Sequence, residues 1–177
     1  MITLTRITDT TSSEYHFTEE LLTATFPREE YRSLHEQRSN AASNSAFHLM
    51  LACKDGEPVG FISYWELGEF CYVEHLATLP TLRGRGIGRA IVEQLKNIAS
   101  KIVLEAEEPI DELTTRRIEF YRRAGFEVCP LPYTQPPYRK GDGTLPMRLL
   151  FHGCTASSDN FARAKELIYR NIYNYKE

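Results

Sequence analysis

Alternating and helical spacings of apolar residues divide the chain into strands and helices. Period-two alternation and short apolar runs bounded by turn residues predict strands, and apolar residues three or four apart predict helices. The predicted strands are Ile2–Ile7, Ala46–Lys54, Val59–Leu67, Phe70–Leu79, Lys101–Ala106, Phe126–Cys129 and Leu145–Phe151. The predicted helices are Glu14–Thr25, Arg28–Arg38, Gly86–Ser100, Leu113–Ala124 and Asp159–Tyr175. This order of elements is typical of an α/β protein.

Turn residues and charge refine these elements. Asp55-Gly56 is a hairpin signal, and Glu57-Pro58 is expected to widen that turn. The polar stretch Ser39–Ser45 and the proline-rich stretch Pro130–Thr144 are predicted loops. The charged helix Arg28–Arg38 is expected to be largely solvated.

A turn rich in glycine and arginine, Arg83–Arg89, follows the strand that ends before Pro80. The helix after it has an apolar stripe at Ile87, Ile91, Leu95 and Ile98. Glycines before a helix leave its first backbone N–H groups unshielded, and these groups together with the helix dipole bind anions. The arginines add positive charge. The turn is therefore predicted to be an anion site, usually one for phosphate.

The spacing of the glycines distinguishes between the known phosphate-binding motifs. A dinucleotide fingerprint, G-x-G-x-x-G, fails in both frames because Arg89 and Ile91 occupy the sixth positions, and no P-loop is present. The pattern R-x-x-G-x-G does occur, as Arg83, Gly86 and Gly88. It resembles the acyl-coenzyme-A signature of the GNAT superfamily of N-acyltransferases. The alternative is an ordinary strand-to-helix turn with arginines on its surface.

A second motif, Phe120–Phe126, resembles the F-Y-x-x-x-G-F element of the same family. The resemblance implies that Tyr121 points at the coenzyme sulfur and protonates the departing thiolate. The alternative is a helix aromatic that packs against Phe126. The chain departs from many relatives at Thr114 and Arg117, where they carry Asn and Ala, so Thr114 is assigned no binding role.

The resemblance extends from Ile2 to Phe151 and implies the GNAT fold. That fold is an α/β arrangement, a mixed and mostly antiparallel sheet flanked by helices, which splays apart after the fourth strand. Residues 1–152 are predicted to form the N-acetyltransferase domain. Residues 153–177 are predicted to be a C-terminal helical extension packed on it.

The implied activity is transfer of an acetyl group from acetyl-CoA, as co-substrate, to a primary amine, with Tyr121 as general acid. Glu74 is the candidate base, because relatives often carry a carboxylate two residues before the position of Leu76; water is the alternative. His75 and Glu105 are weaker candidates. The residues expected to bind the coenzyme are Leu76, Ala77, Thr78, Arg83, Gly84, Arg85, Gly86, Ile87, Gly88 and Arg89.

The acceptor is expected to be a small-molecule or peptide amine of unknown identity. Candidate pocket residues are Phe26, Arg28, Tyr64, Trp65, Tyr72, Tyr133 and Tyr138. Two other functions stay open: a non-catalytic sensor that binds acyl-CoA, and a turn that binds another nucleotide or an anionic protein partner.

Composition limits the partners. The net charge of −3 gives no basic field for nucleic acid, and no run of apolar residues is long enough to span a membrane. The N-terminus lacks the pattern of a signal peptide, and the four widely spaced cysteines are expected to be free thiols in the cytoplasm. No metal is expected, and the chain is expected to be a monomer or a homodimer.

Overall fold

Strands and helices follow one another in the computed structural model, which describes residues 1–176. In this range the elements are β1 Ile2–Arg6, α1 Ser13–Thr25, α2 Leu34–Ser43, β2 Phe47–Lys54, β3 Glu57–Glu66, β4 Cys71–Thr78, α3 Ile87–Lys96, β5 Ile102–Glu107, α4 Glu112–Arg123, β6 Glu127–Val128, β7 Tyr133–Gln135, β8 Leu145–His152 and α5 Ser158–Asn171. The strands form a mixed sheet flanked by the helices, which confirms the predicted fold class. Glu177, the last residue of the predicted extension, lies outside the described residues.

One compact unit comprises residues 1–65 and 73–98. Within it β1 lies at the end of the strand order and pairs antiparallel with β2, and β2 pairs antiparallel with β3. Helix α3 packs against β1. The amphipathic pattern of α3 explains this contact, because Ile87, Ile91, Val92 and Leu95 are all buried.

The β2–β3 turn is tighter than expected. Only Asp55-Gly56 separates the strands, and Lys54 pairs directly with the first residue of β3. The expected widening by Glu57-Pro58 was therefore wrong, since both residues lie in β3. The irregularity is instead a register shift at Cys53, which lies opposite the proline. A bulge tolerates a residue that has no N–H to donate.

The second helix begins and ends later than predicted. The expected helix Arg28–Arg38 is a short 3₁₀ turn followed by α2, and most of the expected loop Ser39–Ser45 is helical. Ser33 sets the start, because its hydroxyl accepts a hydrogen bond from the Glu36 N–H at 3.3 Å while the Glu36 carboxylate accepts one from the Ser33 N–H at 3.2 Å. This reciprocal capping is a start signal that is visible in the sequence.

The other compact unit comprises residues 66–72 and the chain from Ala99 onward. Here β8 is the central strand, since β5, β6 and β7 all pair antiparallel with it. The predicted loop Pro130–Thr144 therefore contains a strand, β7. The side chains of β7 alternate between buried and exposed, as expected for a short strand with one covered face.

Two helices end before their predicted ends. Helix α3 stops at Lys96, where the Asn97 N–H bonds to carbonyls three and two residues back, and Ile98 is consequently 56% exposed. Helix α5 stops at Asn171 instead of Tyr175. The division into residues 1–152 and 153–177 stays a prediction.

The structure also bears on two compositional features. All four cysteines are free thiols. Among residues 1–176, no helix has both the length and the apolar character that crossing a membrane requires.

Candidate active site

The glycine and arginine turn leads from β4 through a 3₁₀ turn, Pro80–Leu82, into α3. Gly86 is the N-cap of α3 and has a φ of 76° and a ψ of 4°. Other residues adopt this left-handed conformation at a cost of about 1–2 kcal/mol, so glycine is the favoured residue here. No side chain among residues 1–176 caps α3. The first N–H groups of the helix have no acceptor within the helix and are available to an anion.

The surroundings of this turn fit a phosphate group. Arg83, Arg85 and Arg89 are all exposed, so their guanidinium groups can reach a ligand. A Cβ placed on Gly86 would meet no protein atom within 4 Å, so the approach to the helix start is open. Ile87 points the other way and is buried. An open helix start beside exposed arginines supports the prediction of an anion site here, which stays a prediction.

At the end of β4, main-chain atoms contribute to the exposed surface. Glu74 is partly exposed although its side chain has no exposed surface, so the exposed area belongs to its backbone. Leu76 and Thr78 are also partly exposed. Beside them β3 comes very close, since a Cβ on Gly60 would lie 2.4 Å from the Ala77 carbonyl oxygen. Exposed strand backbone is what a ligand needs to pair with β4 as an added strand.

The carboxylate of Glu74 is fixed by three donors. Arg32 donates from Nη1 to Oε2 at 3.0 Å and from Nη2 to Oε1, and the Trp65 indole donates to Oε2 at 3.0 Å. The same Arg32 Nη1 donates to Gln37 Oε1 at 3.2 Å, and its guanidinium lies 5.1 Å from the Trp65 ring centroid. Burial opposes ionisation of Glu74, but Arg32, with His75 and Trp65, lowers its pKa below the usual value. A bound, acidic carboxylate of this kind is a weak proton acceptor.

His75 is held as a neutral imidazole. Its Nε2 donates to the Glu30 carbonyl oxygen at 2.8 Å, and its Nδ1 lies 3.5 Å from the Ser63 hydroxyl. The ring packs edge-on against Phe26 at 4.8 Å between centroids. Burial lowers the pKa of His75, and the neighbouring Glu74 offsets this only in part. These contacts make His75 a structural residue of the first unit.

Tyr121 lies on α4 in the second unit. Its ring makes edge-to-face contacts with the rings of Phe120 and Phe126, with centroid–centroid distances of 5.0 Å and 5.5 Å. The residue is 9% exposed. Among residues 1–176 its hydroxyl has no hydrogen-bond partner. Burial raises the pKa of Tyr121 to about 12, although Arg117 acts in the opposite direction. Tyr121 therefore keeps its proton at neutral pH and has it available for transfer.

Two features of the site were not found from the sequence. Arg32, the buried partner of Glu74, and Gln37, which accepts a hydrogen bond from Arg32, lie in the stretch expected to be solvated. Nothing in their spacing singles them out, because an arginine that pairs across a fold has no local signature. The other is the pair of hydrogen bonds that Glu105, expected only as a weaker candidate base, accepts from Tyr133 of the predicted acceptor pocket and from Tyr173.

Comparisons with known proteins agree with these features. The model of the acetyltransferase (GNAT) family matches residues 11–126, which include the turn and Tyr121. The solved structure of a candidate GNAT acetyltransferase from Bacteroides thetaiotaomicron is 40% identical, with a TM-score of 0.93 over 98% of this chain and 99% of that one. A candidate acetyltransferase of Bacillus subtilis (strain 168), YjbC, is 27% identical over 89% of this chain and 82% of its own length.

A more distant structure shares the fold. A GNAT family acetyltransferase from Elizabethkingia anophelis, solved with acetyl-CoA bound, is 21% identical. Its TM-score is 0.57, and the match covers 85% of this chain and 97% of that one.

Proposed function

The chain belongs to the acetyltransferase (GNAT) family, and we propose that it transfers an acetyl group from acetyl-CoA to the primary amine of a small molecule or peptide. The observation that carries this proposal is the uncapped start of α3 behind Gly86, flanked by exposed arginines. The Elizabethkingia anophelis relative has acetyl-CoA bound, and we assign the same ligand to this chain.

The donor half of the site has two parts in this proposal. The backbone N–H groups of Arg85–Arg89, together with the arginine side chains, hold the pyrophosphate of the coenzyme. The main chain of Leu76–Thr78 pairs with the pantetheine as with an added strand. An N–H group at Leu76 or Ala77 then stabilises the oxyanion that forms at the thioester carbonyl.

The reaction is direct transfer. The neutral amine attacks the thioester carbon, a C–N bond forms, and the C–S bond breaks to release the coenzyme thiolate. Tyr121 donates its proton to that thiolate as general acid. An ordinary thiol has a pKa of about 8.5, so a phenol with its pKa raised to about 12 is a reluctant donor. Proton transfer from Tyr121 therefore depends more on the position of its hydroxyl beside the thiolate than on a favourable difference in pKa.

The base in this mechanism is best supplied by water. Glu74 is bound by Arg32 and Trp65 and has a lowered pKa, which weakens it as a proton acceptor. Its backbone, not its carboxylate, is the part with exposed surface. The base role of Glu74 stays a prediction, which the variant Glu74→Gln tests.

The decisive experiment measures thiol release from acetyl-CoA over a panel of amines that includes polyamines, amino acids, aminoglycosides and peptide N-termini. Thiol release that depends on one class of amine supports an acetyltransferase. Calorimetric titration with acetyl-CoA, coenzyme A, ATP and NAD runs in parallel. Coenzyme binding without turnover would instead favour a sensor, and preference for ATP or NAD would overturn the coenzyme assignment.

A further inference from the structure

A carboxylate surrounded by phenols lies in the second unit. Tyr133, from β7, donates to Glu105 Oε1, and Tyr173, from the segment after α5, donates to Glu105 Oε2 at 2.7 Å. The Tyr72 hydroxyl lies 3.5 Å from that of Tyr173, and the Tyr138 ring centroid lies 4.8 Å from that of Tyr173. We call these four tyrosines with Glu105 the tyrosine cluster. Its members come from four separate stretches of the chain, since Tyr133 and Tyr138 both lie in Pro130–Thr144.

The cluster combines negative charge with aromatic surface. Burial raises the pKa values of Tyr133 and Tyr173 well above normal, and the charge of Glu105 raises both further. Both phenols therefore stay protonated and donate to the carboxylate without neutralising it. Aromatic faces attract cations within about 6 Å by roughly 0.5–2 kcal/mol. A carboxylate beside tyrosine rings is thus suited to an ammonium group.

The members of the tyrosine cluster differ in solvent exposure. Tyr72 and Tyr133 are fully enclosed, whereas Glu105, Tyr138 and Tyr173 keep part of their surface exposed. Tyr173 belongs to the segment that follows the last helix and donates to Glu105 Oε2. The partly exposed members therefore place one side of the cluster at the surface of the second unit.

An unsatisfied donor lies on the same strand face. Gln135 is 3% exposed, and its Nε2 has no hydrogen-bond partner within the described part of the chain. It lies two residues from Tyr133 on β7, so the two side chains project from one face of the strand. A buried donor without a partner is unfavourable, because it has lost its hydrogen bonds to water and gained none in the protein. A ligand oxygen that accepts from Nε2 would remove this cost.

We propose that the tyrosine cluster and Gln135 form the acceptor site, which takes a primary ammonium group on a molecule that also carries an uncharged acceptor oxygen. Glu105 and the rings hold the ammonium group, and Gln135 Nε2 donates to the oxygen. The bound ammonium group transfers one proton to water before the neutral amine attacks the thioester. An amine with a carboxylate in place of that neutral oxygen is disfavoured by the negative charge of Glu105. This inference rests on the proposed function and adds the class of acceptor to it.

The test uses three amines of similar size. Glycinamide carries the ammonium group and a neutral oxygen, propylamine carries the ammonium group alone, and glycine carries a carboxylate. Binding of each is measured by calorimetry on the coenzyme-A-bound protein, and the KM of each is measured by thiol release from acetyl-CoA. Glycinamide should bind most tightly of the three.

The variants separate charge from the neutral contact. Glu105→Gln should weaken both glycinamide and propylamine by about tenfold to a hundredfold, as expected for loss of a charge-assisted contact, with acetyl-CoA affinity unchanged. Gln135→Met should weaken glycinamide alone. Glu107→Gln is the matched control, because Glu107 lies on the same strand as Glu105 but its carboxylate forms an ion pair with Arg117. Tyr173→Phe, in the terminal segment, should weaken both amines less than Glu105→Gln and carries little risk of misfolding.

The outcomes separate the two proposals. Equal effects of Glu105→Gln and Glu107→Gln, or no binding of any of the three amines, would overturn the acceptor site even if acetyl transfer to other amines is observed. Absence of acetyl-CoA binding would overturn the proposed function, while the calorimetric titrations of glycinamide into the protein alone would still decide the ammonium site.

Discussion

The guanidinium of Arg32 and the carboxylate of Glu74 form a bidentate ion pair whose side chains are 6% and 0% exposed. The pair joins the segment before α2 to strand β4. Trp65 and Gln37 complete its hydrogen bonds, so neither charge lacks a partner. Since β4 also carries the main chain proposed to bind pantetheine, this pair fixes the position of that strand in the first unit.

Removing one partner of this pair should destabilise the protein strongly. Arg32→Leu leaves the carboxylate of Glu74 buried without its cation, and such changes typically cost about 3–5 kcal/mol. Chemical denaturation measures the free energy of unfolding. Arg116→Leu is the control, because the Arg116–Glu112 pair is 75% and 79% exposed and exposed pairs contribute about 0.3–0.5 kcal/mol. Equal losses in the two variants would contradict a structural role for Arg32.

Glu74→Gln separates structure from catalysis. The neutral amide leaves Arg32 without a counter-charge, so we expect a lower free energy of unfolding but a nearly unchanged kcat for the folded enzyme. Stability is measured by denaturation, and kcat is measured by thiol release under conditions that keep the variant folded. A large fall in kcat together with loss of its pH dependence would instead identify Glu74 as the base.

Acid should destabilise the protein in two steps. Burial lowers the pKa of His75 below 6.5, so as the pH falls below that value the unfolded chain gains a proton that the folded chain does not bind. Burial raises the pKa of Glu74, but the combined effects of Arg32, His75 and Trp65 lower it below 4.5, so its stabilisation is present above that value and is lost as the pH falls through the folded pKa.

Measurements of unfolding between about pH 7 and pH 5 isolate the first step. His75→Gln should flatten the decrease in stability over this range. The control is His35→Gln, since His35 lies exposed on α2. If both variants keep the wild-type slope, His75 does not cause the acid sensitivity.

The fold was largely readable from local patterns, and the error in the bounds of α2 has a specific cause. Strand β4, the turn Arg83–Arg89 and helix α4 each have a local signature of alternation, glycine spacing or capping. The predicted helix Arg28–Arg38 begins directly after Pro27 and ends at a polar stretch, whereas the Ser33–Glu36 capping pair marks the start of α2. Charge density describes the average surface of a helix, whereas capping describes where it starts.

The site was predictable only where one stretch of chain provides it. The turn Arg83–Arg89, which we propose binds the coenzyme, is contiguous, so its glycines and arginines can be named from the sequence alone. Glu74 was chosen as a base from its position alone, because its partner Arg32 is 42 residues away and leaves no trace in the local sequence. The tyrosine cluster is likewise assembled from distant segments: Tyr173 and Glu105 are 68 residues apart.

Gly86→Ala should weaken coenzyme binding beyond its effect on stability. An alanine at a φ of 76° costs about 1–2 kcal/mol, and its Cβ would occupy the open space in front of α3. Gly56→Ala is the matched control, because Gly56 has a φ of 88°, equally open surroundings and a position in the β2–β3 turn. Both variants should lose similar stability by denaturation, but only Gly86→Ala should lose acetyl-CoA affinity by calorimetry. Equal coenzyme affinity in both variants would remove Gly86 from the proposed site.

Tyr121→Phe should lower kcat by about a hundredfold, within the usual range for loss of a general acid, while the Kd for acetyl-CoA stays the same. Because burial raises the pKa of Tyr121 to about 12, the phenol stays protonated throughout the practical range of the assay. The wild-type rate should therefore not decline up to about pH 10, where a phenol with an ordinary pKa would be half ionised. The control is Tyr15→Phe, which removes the hydroxyl of a buried tyrosine of the first unit and should retain kcat. An unchanged kcat in Tyr121→Phe, or a decline in the wild-type rate near pH 9 that the variant lacks, would contradict an acid whose proton is retained by burial.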